Sequence, residues 1–416
     1  ELDILLTAGE RISVLDYENQ VTPEAELKDV AVVLPAATVN ASWTQPSGNA
    51  AGAMGHLALA AQPVRQWSIR IGEGSNKTRH LNSGPVIAGN RLFTIDAGGD
   101  VGAYDAATGR QLWRTRISSE QEDQRPAFGG GVSTDGERVY ATTGYGIAAA
   151  FDAATGRQLW RRQLPTPLRA APAVDGGRIF VTSLDSQLTA LDAQKGDVLW
   201  QANATVEPAA VMGPGAPAVA LDTVVAGFPS GELFALRVEN GRTAWQDQLS
   251  RTGRTTALGA LSGIAASPVI DRGRVFAIGH GGRMAALELA TGQRVWERDF
   301  AGVNMAWTAG DWVFAVDIDG DLVALTRLDG KIRWVRKLER WKNAKKRTGP
   351  IGWYGPVLAG DRLILVSSEK KMVSVSPETG EIRSESRLGN PAHLPPVVAN
   401  GMLYVLTDDG TLTAYR

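Results

Sequence analysis

The chain has 416 residues, 44% of them apolar and 21% charged, with a formal net charge of −1. That balance provides no global field to draw in nucleic acid or an anionic surface. Cysteine is absent, which excludes disulfides, thiolate metal sites, Cys-x-x-Cys-His haem attachment and a cysteine nucleophile. No run approaches the ~18 consecutive apolar residues of a membrane-spanning helix, and Glu1 is compatible with an export signal already removed.

Residues 1–40 carry no repeat. Those before residue 20 read as a tether, and the stretch from Pro23 to Pro35 is expected to run over a face or add an outer strand. The stretch Arg65-Gln-Trp-Ser-Ile-Arg-Ile71 alternates like a strand and contains Trp67, yet no partner strands precede it. Next comes Gly72-Glu-Gly-Ser-Asn-Lys-Thr78, which superficially resembles a phosphate loop. It lacks a glycine before Lys77 and no helix follows, so it reads as a connecting loop.

From Val86 onward the chain repeats. Val86-Ile-Ala-Gly-Asn-Arg-Leu-Phe-Thr-Ile-Asp96 holds two β-rich runs split by Gly-Asn, a hairpin signal. A third run leads into Asp105-Ala-Ala-Thr-Gly-Arg-Gln-Leu-Trp113, a turn followed by a fourth strand. The same nine residues recur from Asp152 to Trp160, with variants ending at Trp200, Trp245, Trp296 and Trp334 and a last weak copy at Ser376–Ser384. Spacings of 38 to 51 residues between these tryptophans belong to propeller blades, not helical repeats. Glycine, 47 of 416 residues against a usual share of roughly 7%, fits the many tight turns. No window shows a helical period.

Seven copies are complete. The eighth, from Pro396 to Tyr415, stops after three strands, and the stray Trp67 strand supplies the fourth. The expected fold is therefore an all-β, eight-bladed β-propeller of four-stranded antiparallel blades, closed by pairing an N-terminal strand with the C-terminal blade. Closure removes two sheet edges that would otherwise invite aggregation. The expected organisation is a tether and extension over 1–40 and one propeller over 41–416. Trp67, Trp113, Trp160, Trp200, Trp245, Trp296 and Trp334 are too regular to be a ligand stripe and read as interblade packing.

Chemistry is sparse. His56, His80, His280 and His393 never fall at metal-ligand spacing. One charge cluster stands out: Arg336, Lys337, Arg340, Lys342, Lys345, Lys346 and Arg347, with Glu339 the only acid and Trp341 among them. It is either a solvated interblade loop or a contact for lipid head groups, an acidic partner or murein.

The repeated Asp-Ala-x-Thr-Gly-x-x-Leu-Trp resembles the repeats of pyrroloquinoline-quinone dehydrogenases. With eight blades, and with Trp43-Thr-Gln-Pro-Ser-Gly-Asn49, Leu258-Gly-Ala-Leu-Ser-Gly-Ile264 and Gly349-Pro-Ile-Gly-Trp-Tyr-Gly-Pro356, the chain resembles the BamB family over roughly residues 40–416, in particular its alphaproteobacterial branch. That resemblance implies a non-catalytic lipoprotein scaffold of the outer-membrane β-barrel assembly machinery. It would sit on the periplasmic side of the outer membrane, held by a lipid anchor that this sequence does not carry. Its partners would be a POTRA domain of BamA, other machinery subunits and unfolded outer-membrane clients. No cofactor, metal or nucleic acid is implied. In the family the partner contact uses two loops, which map to 209–215 and 255–266. Better-known members place Leu and Arg in the first and acids in the second, whereas this chain has Val211 and Met212, then Gly263 and Ala265. The implied contact is therefore apolar, through Val211, Met212, Pro214, Leu258, Leu261 and Ile264. The alternatives are a quinone-dependent dehydrogenase, which would need a vicinal Cys-Cys that a cysteine-free chain lacks, and a general periplasmic peptide-binding propeller.

Overall fold

The repeated turn is fixed by its first and last residues. Asp105 Oδ1 accepts the backbone N–H groups of Ala107 and Thr108 at 3.1 and 2.9 Å and the Thr108 hydroxyl at 2.8 Å. Asp152 repeats this with Ala154 and Thr155. These bonds hold both carboxyls below the ordinary aspartate range, with the threonine hydroxyl the largest cause. The turn closes at a left-handed glycine, Gly156 in the second copy, at φ +74°.

The computed structural model describes residues 21–117, 128–206, 213, 215–249 and 263–416. Around those turns stand eight antiparallel four-stranded blades arranged as a ring, the expected eight-bladed propeller, with a short fifth strand, Ser42–Trp43, added to the first. Blade 1 spans 86–116, blade 2 130–163, blade 3 173–203, blade 4 218–248, blade 5 269–299, blade 6 307–337 and blade 7 353–387. Blade 8 takes three strands from 397–415, and its outermost strand is Arg65–Arg70, antiparallel to Thr411–Tyr415. The ring is thus closed by the N-terminal strand, as the incomplete eighth copy requires. The only helix among the described residues is a single 3-10 turn, Ala25–Leu27.

Tryptophans join neighbouring blades. In seven of the eight outermost strands a bulge places the tryptophan opposite an alanine of the third strand, as in Ala190↔Trp200 and Ala414↔Trp67. The indole then lies on the turn glycine of the next blade. A Cβ on Gly156 would stand 2.6 Å from the Trp113 ring, and one on Gly241 would stand 2.5 Å from Trp200. From Trp113 to Trp334 the indole N–H also donates across the junction, to the carbonyls of Ala153, Ala193, Val238, Leu289, Arg327 and Pro377 at 2.7–3.0 Å. Trp67 makes the ring contact, with Gly109, but no such bond.

Blade 7 departs from the pattern. Ser384 occupies the tryptophan position, pairs with Ser374, and their hydroxyls meet at 2.6 Å. Its outermost strand, Ile382–Arg387, is exposed along its whole length. The cause is topological: the outermost strand of blade 8 arrives from the N-terminus, so blade 8 has no closing turn and no glycine for a tryptophan to cover.

The segment before that strand does more than close the ring. Residues 40–57 run around the inside of the central channel and bond the innermost strand of every blade in turn. Asn40 joins blade 8 through Val398 O and Asn400 N–H, and Ser42–Trp43 pairs with Ile87–Ala88 of blade 1. Thr44 O accepts from Thr134 of blade 2, and the Gln45 amide makes paired bonds with Val174 of blade 3 at 2.7 and 3.1 Å. Ala50 O and Ala51 O accept from Val219 and Ile270 of blades 4 and 5. Gly55 O accepts from the Trp307 indole of blade 6, and Leu57 N–H donates to Leu358 O of blade 7. Trp43 and Trp307 stack across this loop with centroids 6.2 Å apart. Apart from the Trp307 indole, these contacts fall at the middle or C-terminal end of the innermost strands, so the segment laces one mouth of the channel. The stretch from Pro23 to Pro35 runs over the ring rather than adding a strand: Glu24 N–H donates to Ile332 O, and Pro35 approaches Gly310.

Candidate functional site

Strand direction sorts the loops onto two faces. The Asp-x-x-Thr-Gly turns share a face with the laced mouth. The connections between blades, and the turns between second and third strands, lie on the opposite face. This loop face carries the irregular sequence and is the candidate site.

Val211, Met212, Pro214, Leu258 and Leu261 lie outside the described residues. Ile264 is described, and it folds onto the ring instead of standing exposed for an apolar contact. It is 1% exposed, its N–H donates to Phe228 O at 3.0 Å, and its side chain packs where Gly227 leaves room in the core of blades 4 and 5. Apolar burial explains the outcome: a β-branched residue beside a glycine gap folds onto the ring.

Beneath Ile264 lies a residue that sequence reasoning missed. Arg169, in the connection between blades 2 and 3, is 3% exposed. Its Nη2 donates to Gly227 O and Ile264 O at 3.4 and 3.3 Å, while Nε and Nη1 have no acceptor. Among the described residues no carboxylate pairs with it, and burial pulls its pKa down to about 10. Nearby, the His280 N–H donates to Gly263 O and its Nδ1 has no partner; burial lowers its pKa. Arg169 thus places one buried cation under the loop face between blades 3 and 5, while the lowered pKa of His280 keeps its ring neutral. Only Pro167-Leu-Arg-Ala-Ala-Pro172, an arginine in an apolar frame, hinted at this.

The basic cluster resolves into two parts. Trp341–Asn343 and Thr348–Pro350 form a separate two-stranded hairpin between blades 6 and 7, on the loop face. Near its root Arg340 pairs with Asp319 and lies 5.3 Å over the Trp341 ring, and Lys342 pairs with Glu369. Lys345, Lys346 and Arg347 are exposed at the tip. In the adjoining turn of blade 6, Asp317 accepts from the N–H groups of Asp319 and Asp321, and burial pushes its pKa up to about 7.

Other titratable groups serve the ring. His56 fastens the N-terminal segment to Pro35 O and to the Asp361 N–H, and His393 meets Asp408 at 2.7 Å. Among the described residues no three His, Asp or Glu converge to hold a metal, and no helix is long and apolar enough to cross a membrane.

The sequence matches the family model described as outer membrane protein assembly factor BamB, over residues 42–127, 97–336 and 338–416. The chain belongs to the BamB family. Curated BamB proteins are similar along most of its length. That of Yersinia pestis is 27% identical over 359 residues, covering 85% of this chain and 88% of the relative. That of Vibrio cholerae is 34% identical over 256 residues, covering 61% and 65%. The crystal structure of BamB from Moraxella catarrhalis superposes with a TM-score of 0.70 at 20% identity, covering 85% of this chain and all of that one. Quinohemoprotein alcohol dehydrogenase from Comamonas testosteroni also superposes at 0.70, with 14% identity over 91% of this chain and 81% of its own. At such identities the likeness is one of fold.

Proposed function

We propose that this chain is a non-catalytic scaffold in outer-membrane protein assembly, working on the periplasmic side of the outer membrane. The observation that carries the reading is the asymmetry of the ring in a member of the BamB family. One mouth is laced by the chain's own residues 40–57, and we take the loop face as the one an incoming partner meets. There we place the docking of a POTRA domain of the barrel-inserting subunit BamA, over the connections that lead into blades 4 and 5. Val211, Met212, Pro214, Leu258 and Leu261 provide the apolar contacts of this proposal, and the buried Arg169 charge beside Gly227 and Ile264 favours an acidic residue on the partner. Unfolded outer-membrane clients and other machinery subunits are the further partners of this proposal, and a lipid on the precursor's N-terminus is its anchor. The dehydrogenase reading has only fold likeness behind it.

The test is titration of the purified chain with the soluble POTRA region of BamA from the same source, followed by size-exclusion chromatography. A one-to-one complex that weakens at least tenfold with Met212→Asp and Leu261→Asp is expected. Absence of binding by a folded chain, or equal binding of any extended β-prone peptide, would overturn the reading in favour of a general peptide binder.

A further inference from the structure

The hairpin between blades 6 and 7 contributes nothing to the ring: its two strands pair only with each other, Trp341 with Pro350 and Asn343 with Thr348. Yet its root is firmly held. Ile351 N–H donates to Arg340 O at 2.9 Å, and the Trp353 indole donates to Glu339 O at 2.8 Å. Around the root, Arg336 donates to Gly380 O, Arg340 meets Asp319, Lys342 meets Glu369, and Lys371 meets Glu339. These contacts use up the nearby carboxylates of Asp319, Glu339 and Glu369. At the turn, Asn343 Oδ1 accepts the Lys346 N–H at 3.0 Å. Lys345, Lys346 and Arg347 then project from the end, all exposed and with no carboxylate partner among the described residues.

We propose that this hairpin is a membrane-contact finger, whose three tip cations engage the phosphate groups of an anionic bilayer surface. The tip is a run of three adjoining exposed cations at the end of a hairpin, which suits a surface that supplies phosphates at any position. A folded acidic partner would demand a matching shape. Trp341, half-buried under the Arg340 guanidinium, adds an amphipathic ring close behind the cations. Because the chain's net charge is only −1, adsorption would be local to the finger. Each tip cation adds about fivefold to binding near an anionic surface, so the three together contribute about a hundredfold. The effect fades with salt as the screening length shrinks to ~8 Å. The finger stands on the loop face, so the candidate partner site would be held toward the bilayer. None of this depends on which protein docks there.

Co-sedimentation of the full chain with vesicles tests the proposal. Phosphatidylcholine vesicles are compared with an equal mixture of phosphatidylcholine and phosphatidylglycerol at low salt. The chain should bind the mixed vesicles selectively. The triple variant Lys345→Glu, Lys346→Glu, Arg347→Glu should bind at least about a hundredfold more weakly while melting at the same temperature. Replacing Lys345 and Lys346 with arginine should leave binding intact. Undiminished binding of the triple variant, or no preference for phosphatidylglycerol, would overturn the proposal. Release from the vesicles by soluble polyglutamate at matched charge would also overturn it, in favour of an acidic polypeptide ligand.

Discussion

The junctions between blades come in two kinds, and the contrast shows how the ring holds itself together. At seven junctions a tryptophan from one blade lies on the turn glycine of the next, and six of those indoles also bond a carbonyl across the gap. At the junction of blades 7 and 8 there is neither tryptophan nor turn. The N-terminal segment runs past it instead. On the blade 7 side Leu57 N–H donates to Leu358 O, Leu57 O accepts from Gly360 N–H, and Arg362 grips the carbonyls of Ala60 and Ala61; on the blade 8 side Val64 pairs with Arg416. A side-chain latch repeated seven times is thus replaced once by backbone stitching, at the place where the ring was cut to make chain ends. The same N-terminal segment, just before the stitch, laces one channel mouth, so one stretch of chain both closes the ring and distinguishes its two faces.

The largest expected effect comes from removing the stitch's partner. Deleting residues 397–416 exposes sheet edges on both sides of the gap and should abolish the folded monomer, seen as aggregation in size-exclusion chromatography. A truncated chain that stayed monomeric and cooperatively folded would break the closure account. Next is Trp200→Ala at a latched junction, which leaves a cavity over Gly241 and should cost about 3–5 kcal/mol in denaturant unfolding. Gln45→Leu probes the lacing itself. It strands the buried N–H and C=O of Val174, at about 1–3 kcal/mol, and a neutral result would mean the laced mouth is loosely held. Smallest is Ser384→Trp. With no turn glycine opposite, the new indole should change stability by less than about 1 kcal/mol, whereas stabilisation comparable to the loss at Trp200 would show a latch site that the topology denies.

Much of this was legible in the sequence, for reasons that differ by region. The blades were readable because each turn must repeat the same Asp-side-chain caps and the same left-handed glycine, so selection for geometry appears as identical letters. Trp67 was readable because an unmatched fourth strand and a three-stranded final copy imply one another. The lacing was not, because residues 40–57 meet eight blades through backbone carbonyls and a different side chain each time, leaving no period. Ile264 misled for a related reason. An apolar residue in a connection reads as an exposed contact until the glycine gap at Gly227 is known. Arg169 had only its apolar frame, Pro167 to Pro172, to mark it, and that does not tell a buried arginine from an exposed one. The basic run was readable as charge, but its division into a paired root and a free tip depends on Asp319 and Glu369, which come from neighbouring turns.

The central claim is that the laced mouth leaves partners only the loop face. Hydrogen–deuterium exchange of the chain with and without the soluble POTRA region of BamA tests it most directly. The account predicts new protection in the connections leading into blades 4 and 5, around residues 205–217 and 250–268. Exchange in residues 40–57 and in the turns after Asp105, Asp152 and Asp192 should stay unchanged. Protection centred on those turns or on residues 40–57, with the loop face unaffected, would contradict it.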